Sequence, residues 1–149
     1  MQRNDALYIL DKLVGLPLLY GLQSPDVVFF DLGFGEYIQA KNLYGIERSV
    51  ATYSLHAVCG IKIIHRKEPR HTECYIGDTP AAFNSLLSKL TGQIIKRVAL
   101  SEKNDLWMDL GDYWIVFVTN EDSEESWRYF SHLNNTSHLV FSDTWIHWE

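Results

Sequence analysis

The stretch Leu106-Trp-Met-Asp-Leu-Gly-Asp-Tyr-Trp-Ile-Val-Phe-Val-Thr119 indicates the fold class of this chain. In its first arm polar and apolar residues alternate, which predicts a strand with one exposed and one buried face. Gly111-Asp112 predicts the reversal between the two arms. The second arm, Trp114–Val118, shows no alternation and predicts a central strand that is covered on both sides. The stretch therefore predicts an antiparallel hairpin.

Other short runs of β-branched and aromatic residues, separated by turn residues, predict further strands. They are Val27–Leu32, Val50–Val58, Ile61–Ile64, Ile94–Leu100, Ser137–Phe141 and Thr144–Trp148. Pro17 makes Leu16–Leu22 an edge strand or an irregular segment. Gly33-Phe34-Gly35 and Lys67–Arg70 predict loops. Consecutive short strands with tight turns pair antiparallel.

Two helices are predicted from apolar residues at helical spacing. The first has Asn4 as its cap and ends at Gly15, and the second has Thr79 as its N-cap and ends at Gly92. Two helices are too few to connect a parallel sheet throughout. We therefore predict an α+β fold, a curved, mainly antiparallel sheet with two helices packed on one face or end, in a single domain over residues 1–149.

The composition, with 46% hydrophobic and 21% charged residues, is typical of a soluble globular protein. The sequence shows no secretory signal and no apolar run that is long enough for a membrane helix. Two cysteines are too few for a secreted disulfide scaffold, so we expect a cytoplasmic protein. A net charge of −6 argues against nucleic-acid binding through phosphates.

Negative charge and tryptophan are concentrated in residues 101–149. This third of the chain holds ten acidic residues, two basic residues and all five tryptophans. A field of one sign over part of a surface steers a partner of the opposite charge. The distribution therefore favours a basic protein as partner.

The candidate partner-binding residues lie in two places. One is the expected exposed face of the first hairpin arm, and the other is the loop Asn120–Ser126, whose simplest interpretation is a solvated loop. The candidates are Asp105, Trp107, Asp109, Glu121, Asp122, Glu124 and Glu125.

Arg128 is expected to be held by carboxylates, because it lies in a strongly acidic segment and its planar fork suits bidentate pairing. In Glu125-Ser-Trp-Arg-Tyr-Phe130, Trp127 and Tyr129 would share one strand face. We interpret Trp127 and Arg128 as a structural clamp that ties the acidic loop to the sheet. The alternative is an arginine and aromatic anchor for a ligand.

His56-x-x-Cys59 and His71-x-x-Cys74 form a Cys2His2 set that suits tetrahedral zinc by ligand type. On a strand, however, residues three apart point to opposite faces, so His56 and Cys59 converge only if Gly60 breaks the strand. The alternatives are a small core cysteine with a hydrogen-bonded histidine, a Cys59 nucleophile served by His56 or His71, and a Cys59–Cys74 disulfide in an oxidising compartment.

No cofactor is predicted. Gly33-Phe34-Gly35 lacks the third glycine and the following helix of a dinucleotide-binding fingerprint. The sequence also has no Walker loop, no G-x-S-x-G elbow and no H-E-x-x-H.

Five elements, in this order, resemble a group of small uncharacterised bacterial proteins over roughly Val50 to Phe141. They are Leu55-His56-Ala-Val-Cys59, Gly92-Gln-x-Ile-x-x-Val98, Asp105-Leu-x-x-x-Leu110, Glu125-Ser-Trp-Arg-x-Phe130 and His138-Leu-Val140. The group tends to have Pro-Trp-Arg after this cysteine, where this chain has Gly60-Ile61-Lys62. The resemblance implies a bacterial, cytosolic origin and no activity or cofactor.

Three classes of function follow from these observations. The first is a binding or inhibitory protein, similar to bacterial immunity proteins, that presents an acidic, aromatic-containing surface to a basic protein partner. The alternative is a small ligand-binding or Cys/His-dependent enzyme domain built on His56, Cys59, His71 and Arg128. The third is a subunit of a larger assembly or a homodimer, with exposed aromatics forming the interface.

Overall fold

A computed structural model of the chain describes residues 1–23, 29–68, 73–75, 80–133 and 137–149, with the backbone alone at 73–75 and 80–83. The elements in chain order are α1 (Arg3–Leu10), a 3₁₀ turn (Asp11–Leu13), β1 (Leu18–Gln23), β2 (Phe30–Lys41), β3 (Glu47–Ala57), β4 (Gly60–His65), β5 (Glu73–Tyr75), α2 (Pro80–Leu90), β6 (Arg97–Leu100), β7 (Leu106–Asp109), β8 (Tyr113–Val118), β9 (Trp127–Ser131), β10 (Leu139–Phe141) and β11 (Ile146–Trp148).

The strands form two sheets. One has six strands in the order β1-β2-β3-β9-β10-β11, and the other has five in the order β5-β4-β8-β7-β6. Every strand pair among the described residues is antiparallel. The prediction of a mainly antiparallel α+β fold is confirmed, with two sheets in place of the expected single one. The chain passes between the sheets at Val58-Cys59, where both amides donate to the carbonyl of Ser126, at 2.9 and 3.2 Å.

The predicted hairpin is confirmed as β7 and β8, paired from Leu106↔Phe117 to Asp109↔Trp114. Gly111 has φ +90°, a left-handed conformation that glycine adopts without strain. β8 lies between β4 and β7 in its sheet. Val116 and Phe117 are consecutive and point to opposite faces, yet they are only 2% and 0% exposed. This strand is covered on both sides, as its unbroken apolar sequence predicted.

Trp127 connects the two sheets in the core. Its ring is fully buried and stacks on Phe141 of β10, with centroids 3.7 Å apart, and it meets Phe117 of β8 edge-on at 5.9 Å. Its indole nitrogen donates to the carbonyl of Asn104 at 3.0 Å, which satisfies the buried N–H. One cluster of buried side chains therefore includes residues of both sheets.

The loop predicted at Gly33-Phe34-Gly35 is wrong, because these residues lie inside β2. A Cβ at Gly33 would come within 2.2 Å of the ring of Tyr20 on β1, so glycine here makes room for an aromatic neighbour. Gly35, with φ +99°, lies in a bulge opposite Thr52, whose hydroxyl donates to the carbonyl of Glu36. These glycines serve strand packing rather than a reversal.

Both predicted helices are present, but α1 begins at Arg3, so the predicted cap Asn4 lies inside the helix and Gln2 is the N-cap. α1 continues as a 3₁₀ turn, and Gly15 follows it with φ +90°. α2 begins at Pro80 and is followed by Gly92, with φ +89°, whereas the predicted cap Thr79 lies outside the described residues. Leu87 of α2 fills the space that a side chain at Gly21 of β1 would need. Among the described residues, neither helix has the length and apolar character needed to cross a bilayer.

Two further predictions lie partly outside the described residues. Val27 and Val28 are not described, and the rest of the predicted strand Val27–Leu32 continues into β2. Of the predicted loop Lys67–Arg70, only Lys67 and Glu68 are described.

Candidate functional site

Three loops meet at one end of the molecule and carry five carboxylates, which we call the acidic end: Glu102, Glu121, Asp122, Glu124 and Asp143. Lys103 joins the first loop to the second through an ion pair with Glu121 at 2.8 Å. Asn104 joins the first loop to the third by donating to the carbonyl of Ser142 at 2.8 Å. Sequence alone brings only the middle loop to attention, whereas the structure adds Glu102 and Asp143.

The middle loop, residues 120–126, is held in one conformation by side-chain hydrogen bonds. The indole of Trp145 donates to the carbonyl of Ser123 at 2.8 Å, and the amide of Ser123 donates to Asp143 at 3.1 Å. The amide of Asn120 donates to the hydroxyl of Ser126. Ser123 adopts φ +60°, a conformation that these contacts stabilise. The loop is therefore preorganised, although five of its residues, 120–124, are exposed.

Positive charge partly offsets the acidic end on one side. A groove beside it is lined by Met1, Gln2, Arg3, Glu102, Asn104, Asp143, Thr144, Trp145 and Ile146. The guanidinium of Arg3 donates to the carbonyl of Glu102 at 2.8 Å. The hydrogen bond with Lys103 lowers the pKa of Glu121 and raises that of the lysine, and both side chains are exposed. On the middle loop, Glu121 is therefore engaged with Lys103, whereas Asp122 and Glu124 are exposed.

Asp105 and Asp109, predicted to present an exposed acidic face, instead serve as internal acceptors. Asp105 accepts from both the amide and the hydroxyl of Thr119, at 2.8 and 2.9 Å. Asp109 is 6% exposed and accepts from Arg66 and from the amide of Gly111. The expectation of an exposed acidic face is wrong for Asp109, because Arg66, which follows β4, binds its carboxylate.

Trp107 has a different setting from the one predicted. It is half-buried and meets Trp114 edge-on, with centroids 5.7 Å apart. Two guanidiniums, those of Arg66 and Arg97, lie 5.4 and 5.1 Å from the Trp114 ring. The surroundings of Trp107 are therefore aromatic and basic, and they are separate from the acidic end.

Arg128 connects the acidic loop to the sheet. Its guanidinium donates to both carboxylate oxygens of Glu125, at 2.5 and 2.6 Å, in the bidentate geometry expected of this pair. The hydrogen bond with Arg128 lowers the pKa of Glu125. Trp127 anchors the adjacent position in the core. Glu125 is therefore committed to an internal contact and is half-buried.

Comparison of the chain with protein-family models, with curated proteins and with solved structures found no match.

A second polar cluster covers the outer face of the six-stranded sheet, and we call it the histidine face: Tyr20, Asp31, His56, Phe130, His132 and His138. Asp31, His56 and Arg128 lie in one row across β2, β3 and β9. The three imidazoles surround the ring of Phe130, at centroid distances of 4.8 Å for His56, 5.2 Å for His132 and 4.3 Å for His138. Each of these histidines comes from a different part of the sequence.

The hydrogen bonds on the histidine face fix the protonation of two rings. Nε2 of His56 lies 3.1 Å from Oδ1 of Asp31, so it carries a proton and donates. Nδ1 of His138 lies 2.9 Å from Arg128, which has only donors, so this nitrogen accepts. Burial is the largest cause that lowers the pKa of both His132 and His138. Burial and the carboxylate of Asp31 together raise the pKa of Tyr20 to about 12.

The structure does not bring the predicted zinc ligands together. His56 lies on the histidine face, whereas Cys59 is 3% exposed and belongs to the core. His71 lies outside the described residues, and of Cys74 only the backbone is described, paired with Lys62. No group of three or more potential ligands that could hold a metal occurs among the described residues. His56 and Cys59 therefore do not converge, because His56 lies on the histidine face of β3 whereas Cys59, in the bend between β3 and β4, is buried in the core.

Cys59 is also unsuited to thiolate chemistry. Burial raises the pKa of its thiol to about 12, so the thiol stays protonated at neutral pH. A reactive cysteine needs an exposed and electropositive setting. Among the alternatives drawn from the sequence, the geometry favours a small core residue.

Sequence patterns do not mark most of the histidine face. His138 occurs within the His-Leu-Val element, whereas Asp31 and His132 belong to none of the five elements. The available signal was the alternation of Arg128, Phe130 and His132, which places all three on one face of a strand. A local sequence pattern does not give the order of the strands in the sheet, in which β9 lies between β3 and β10.

An exposed apolar tip lies between β2 and β3. Leu43, Tyr44 and Ile46 are 101%, 87% and 61% exposed. β1 covers β2 only up to Phe34, and β9 covers β3 only from Tyr53, so the hairpin extends beyond both neighbours as an arm. Exposed apolar groups of this kind are typical of contact surfaces.

Proposed function

We propose that this chain is a binding or inhibitory protein, of the immunity-like kind, that presents its acidic end to a basic protein partner. The observation that carries the proposal is the contrast between the exposed carboxylates on a preorganised loop and those of Asp105, Asp109 and Glu125, which accept internal hydrogen bonds. Asp122 and Glu124 are exposed, and the backbone that carries them is fixed through Ser123, Asp143 and Trp145. A rigid loop loses little conformational entropy on binding.

The partner is expected to be basic because exposed charge sets electrostatic complementarity and the rate of encounter. Trp145 lies at the edge of the same surface, stacked on His147 with centroids 4.2 Å apart, and it supplies an aromatic contact beside the carboxylates. The candidates Asp122, Glu124 and Glu121 therefore remain in the proposal. Asp105, Asp109, Trp107 and Glu125 have internal or separate surroundings and leave it.

The experiment measures association with a panel of basic proteins at low and high salt. We expect at least one complex whose affinity falls as salt rises, and we expect Glu124→Lys to weaken that complex at least tenfold. The matched control is Asp112→Lys, because Asp112 is also exposed, lies in a turn, and undergoes the same change of charge. Asp112 belongs to the β7–β8 turn and lies outside the acidic end.

Two results would count against the proposal. One is the absence of any salt-sensitive complex across the panel. The other is an equal loss of affinity in Glu124→Lys and Asp112→Lys, because this would mean that binding depends on net charge and not on the acidic end.

A second candidate function, a small-ligand site, is supported by the histidine face. His138 offers Nε2 as a donor, because its Nδ1 accepts from Arg128, and the rings of His56 and His132 lie 4.8 and 5.2 Å from the same Phe130 ring. Half-buried titratable groups with shifted pKa values are typical of functional sites. The test is an NMR experiment that follows the histidine imidazole resonances while small polar fragments are added. Shifts confined to His56, His132 and His138 would support the site, whereas equal shifts of His65, on the other sheet, would contradict it.

The proposal includes two finer points about the molecule as a whole. We infer that both helices cover one face or end of the sheets, which is supported by the contact of Leu87 with Gly21 and by the proximity of α1 to β6. We also infer a bacterial, cytoplasmic protein, which is supported by the unpaired thiol of Cys59.

A further inference from the structure

His138, just before β10, is held in its neutral form by its contact with Arg128. The two groups are 2.9 Å apart at Nη1 and Nδ1. A guanidinium carries only donors and stays protonated in proteins, so Nδ1 of His138 must supply the lone pair. A proton on Nδ1 would remove the acceptor and place two cations in contact.

The groups that face His138 divide into two sets. Phe130 of β9 stacks on its ring at 4.3 Å, and Arg128 of β9 and His56 of β3 both disfavour a positive charge there. Glu125, before β9, and Glu149, after β11, favour one. Glu125 already binds Arg128 through both oxygens. Residues 134–136, which precede His138, have no ionisable side chain.

The balance of these groups lowers the pKa of His138, with burial as the largest cause and Arg128 as the second. As the pH falls through the ordinary histidine range, near about 6.5, the unfolded chain takes up a proton before the folded chain does. Folding stability therefore declines on acidification, and the loss is centred on the contacts of His138.

β10 and β11 connect these contacts to the acidic end. His138 and Glu149 exchange two backbone hydrogen bonds at the open end of this hairpin, both 2.8 Å long. The turn at the other end contains Asp143 and Trp145, which hold the amide and the carbonyl of Ser123. A loss of order in the hairpin is therefore transmitted to the loop 120–126.

We propose that His138 makes the β10–β11 hairpin acid-sensitive, so that its protonation breaks the contact with Arg128 and loosens both the hairpin and the acidic loop attached to its turn. The inference does not depend on the proposed partner. It concerns only the folded chain and the order of these two segments.

The test is amide hydrogen exchange, expressed as protection relative to the intrinsic rate at each pH, near neutrality and about one unit below the ordinary histidine pKa. We expect protection of Leu139–Phe141, Ile146–Trp148 and Ser123 to fall several-fold at the lower pH, while the β7–β8 hairpin keeps its protection. In His138→Gln the amide oxygen still accepts from Arg128 but does not titrate, so the fall should disappear.

His65→Gln is the matched control, because Nδ1 of His65 also accepts hydrogen bonds, from the amides of Lys67 and Glu68, but on the other sheet. This variant should keep the acid-induced fall. His132→Gln removes the other histidine of this face whose pKa is lowered. This variant should also keep the acid-induced fall in protection, because His138 is still present.

Three results would overturn the proposal. The wild-type hairpin would keep its protection at the lower pH, or the fall would persist in His138→Gln, or the ring nitrogens of His138 in the wild-type protein would titrate at or above the ordinary histidine value. The last measurement needs no variant, so a folding defect of His138→Gln leaves the proposal testable.

Discussion

The β7–β8 hairpin and the loop that follows it are both rich in carboxylates, yet the two regions use them differently. On the hairpin, Asp105 and Asp109 accept hydrogen bonds from Thr119, Gly111 and Arg66. On the loop, Asp122 and Glu124 remain exposed to solvent. The difference follows from the neighbours of each backbone. A strand inside a sheet has flanking strands that supply donors, whereas a loop at the end of the sheets has solvent on one side.

The comparison predicts that Asp105 and Asp109 stabilise the fold, whereas Asp122 and Glu124 do not. Asp109→Ala should have the largest effect, because it removes the side-chain acceptor of the Gly111 amide and the carboxylate that pairs with Arg66. We expect a loss of about 1–3 kcal/mol in the free energy of unfolding, measured by urea denaturation.

Asp112→Ala is the control for this prediction, because Asp112 is exposed and lies three residues further along the chain. Its effect should stay within about 0.5 kcal/mol. If Asp109→Ala costs no more than the control, the hydrogen bonds of Asp109 do not distinguish it from a surface residue.

The hairpin also shows how much of the fold can be predicted from the sequence. The alternating first arm and the unbroken second arm predicted β7 and β8, because alternation and its absence report directly on burial. The separation into two sheets was not predicted, since it depends on pairing between β3 and β9, which are distant in sequence. The error at Gly33 has the same origin, because the ring of Tyr20 is invisible to a local pattern.

For the candidate site, the sequence indicated which residues are charged but not which residues they pair with. The alternation of Asp105, Trp107 and Asp109 was sufficient to place them on one face of a strand, but not to show what covers that face. Arg66, which covers Asp109, comes from the end of β4. The bidentate contact of Arg128 with a carboxylate was foreseen from its chemistry, because an isolated arginine in an acidic segment has many possible acceptors.

Glu125 belongs to both regions, because its backbone lies in the loop 120–126 and its carboxylate binds Arg128 on β9. Glu125→Gln should reduce the free energy of unfolding at neutral pH by about 1 kcal/mol or less, because the pair with Arg128 is partly exposed. A denaturation midpoint at neutral pH measures this loss.

The same variant has a distinct effect on acid stability. The pKa of Glu125 is lowered in the folded protein, with the hydrogen bond from Arg128 as the main cause. Its stabilising contribution is therefore complete above the ordinary glutamate pKa and is lost as the pH falls through the lower, folded value. The stability of Glu125→Gln should approach that of the wild type at strongly acidic pH. An unchanged gap between the two curves at low pH would mean that the charge of Glu125 is not what stabilises the clamp.

The smallest effect is expected for Glu121→Gln, which removes the ion pair with Lys103 at the surface of the acidic end. The two side chains are 79% and 64% exposed, so water and salt screen their attraction. We expect no measurable change in the denaturation midpoint, whereas affinity for a basic partner should fall as one carboxylate is lost. Lys103→Gln is the informative counterpart, because it frees Glu121 and should raise that affinity at low salt. A marked loss of stability in either variant would show that Glu121 stabilises the fold, as Asp109 does. The contrast between hairpin and loop carboxylates would then not hold for Glu121.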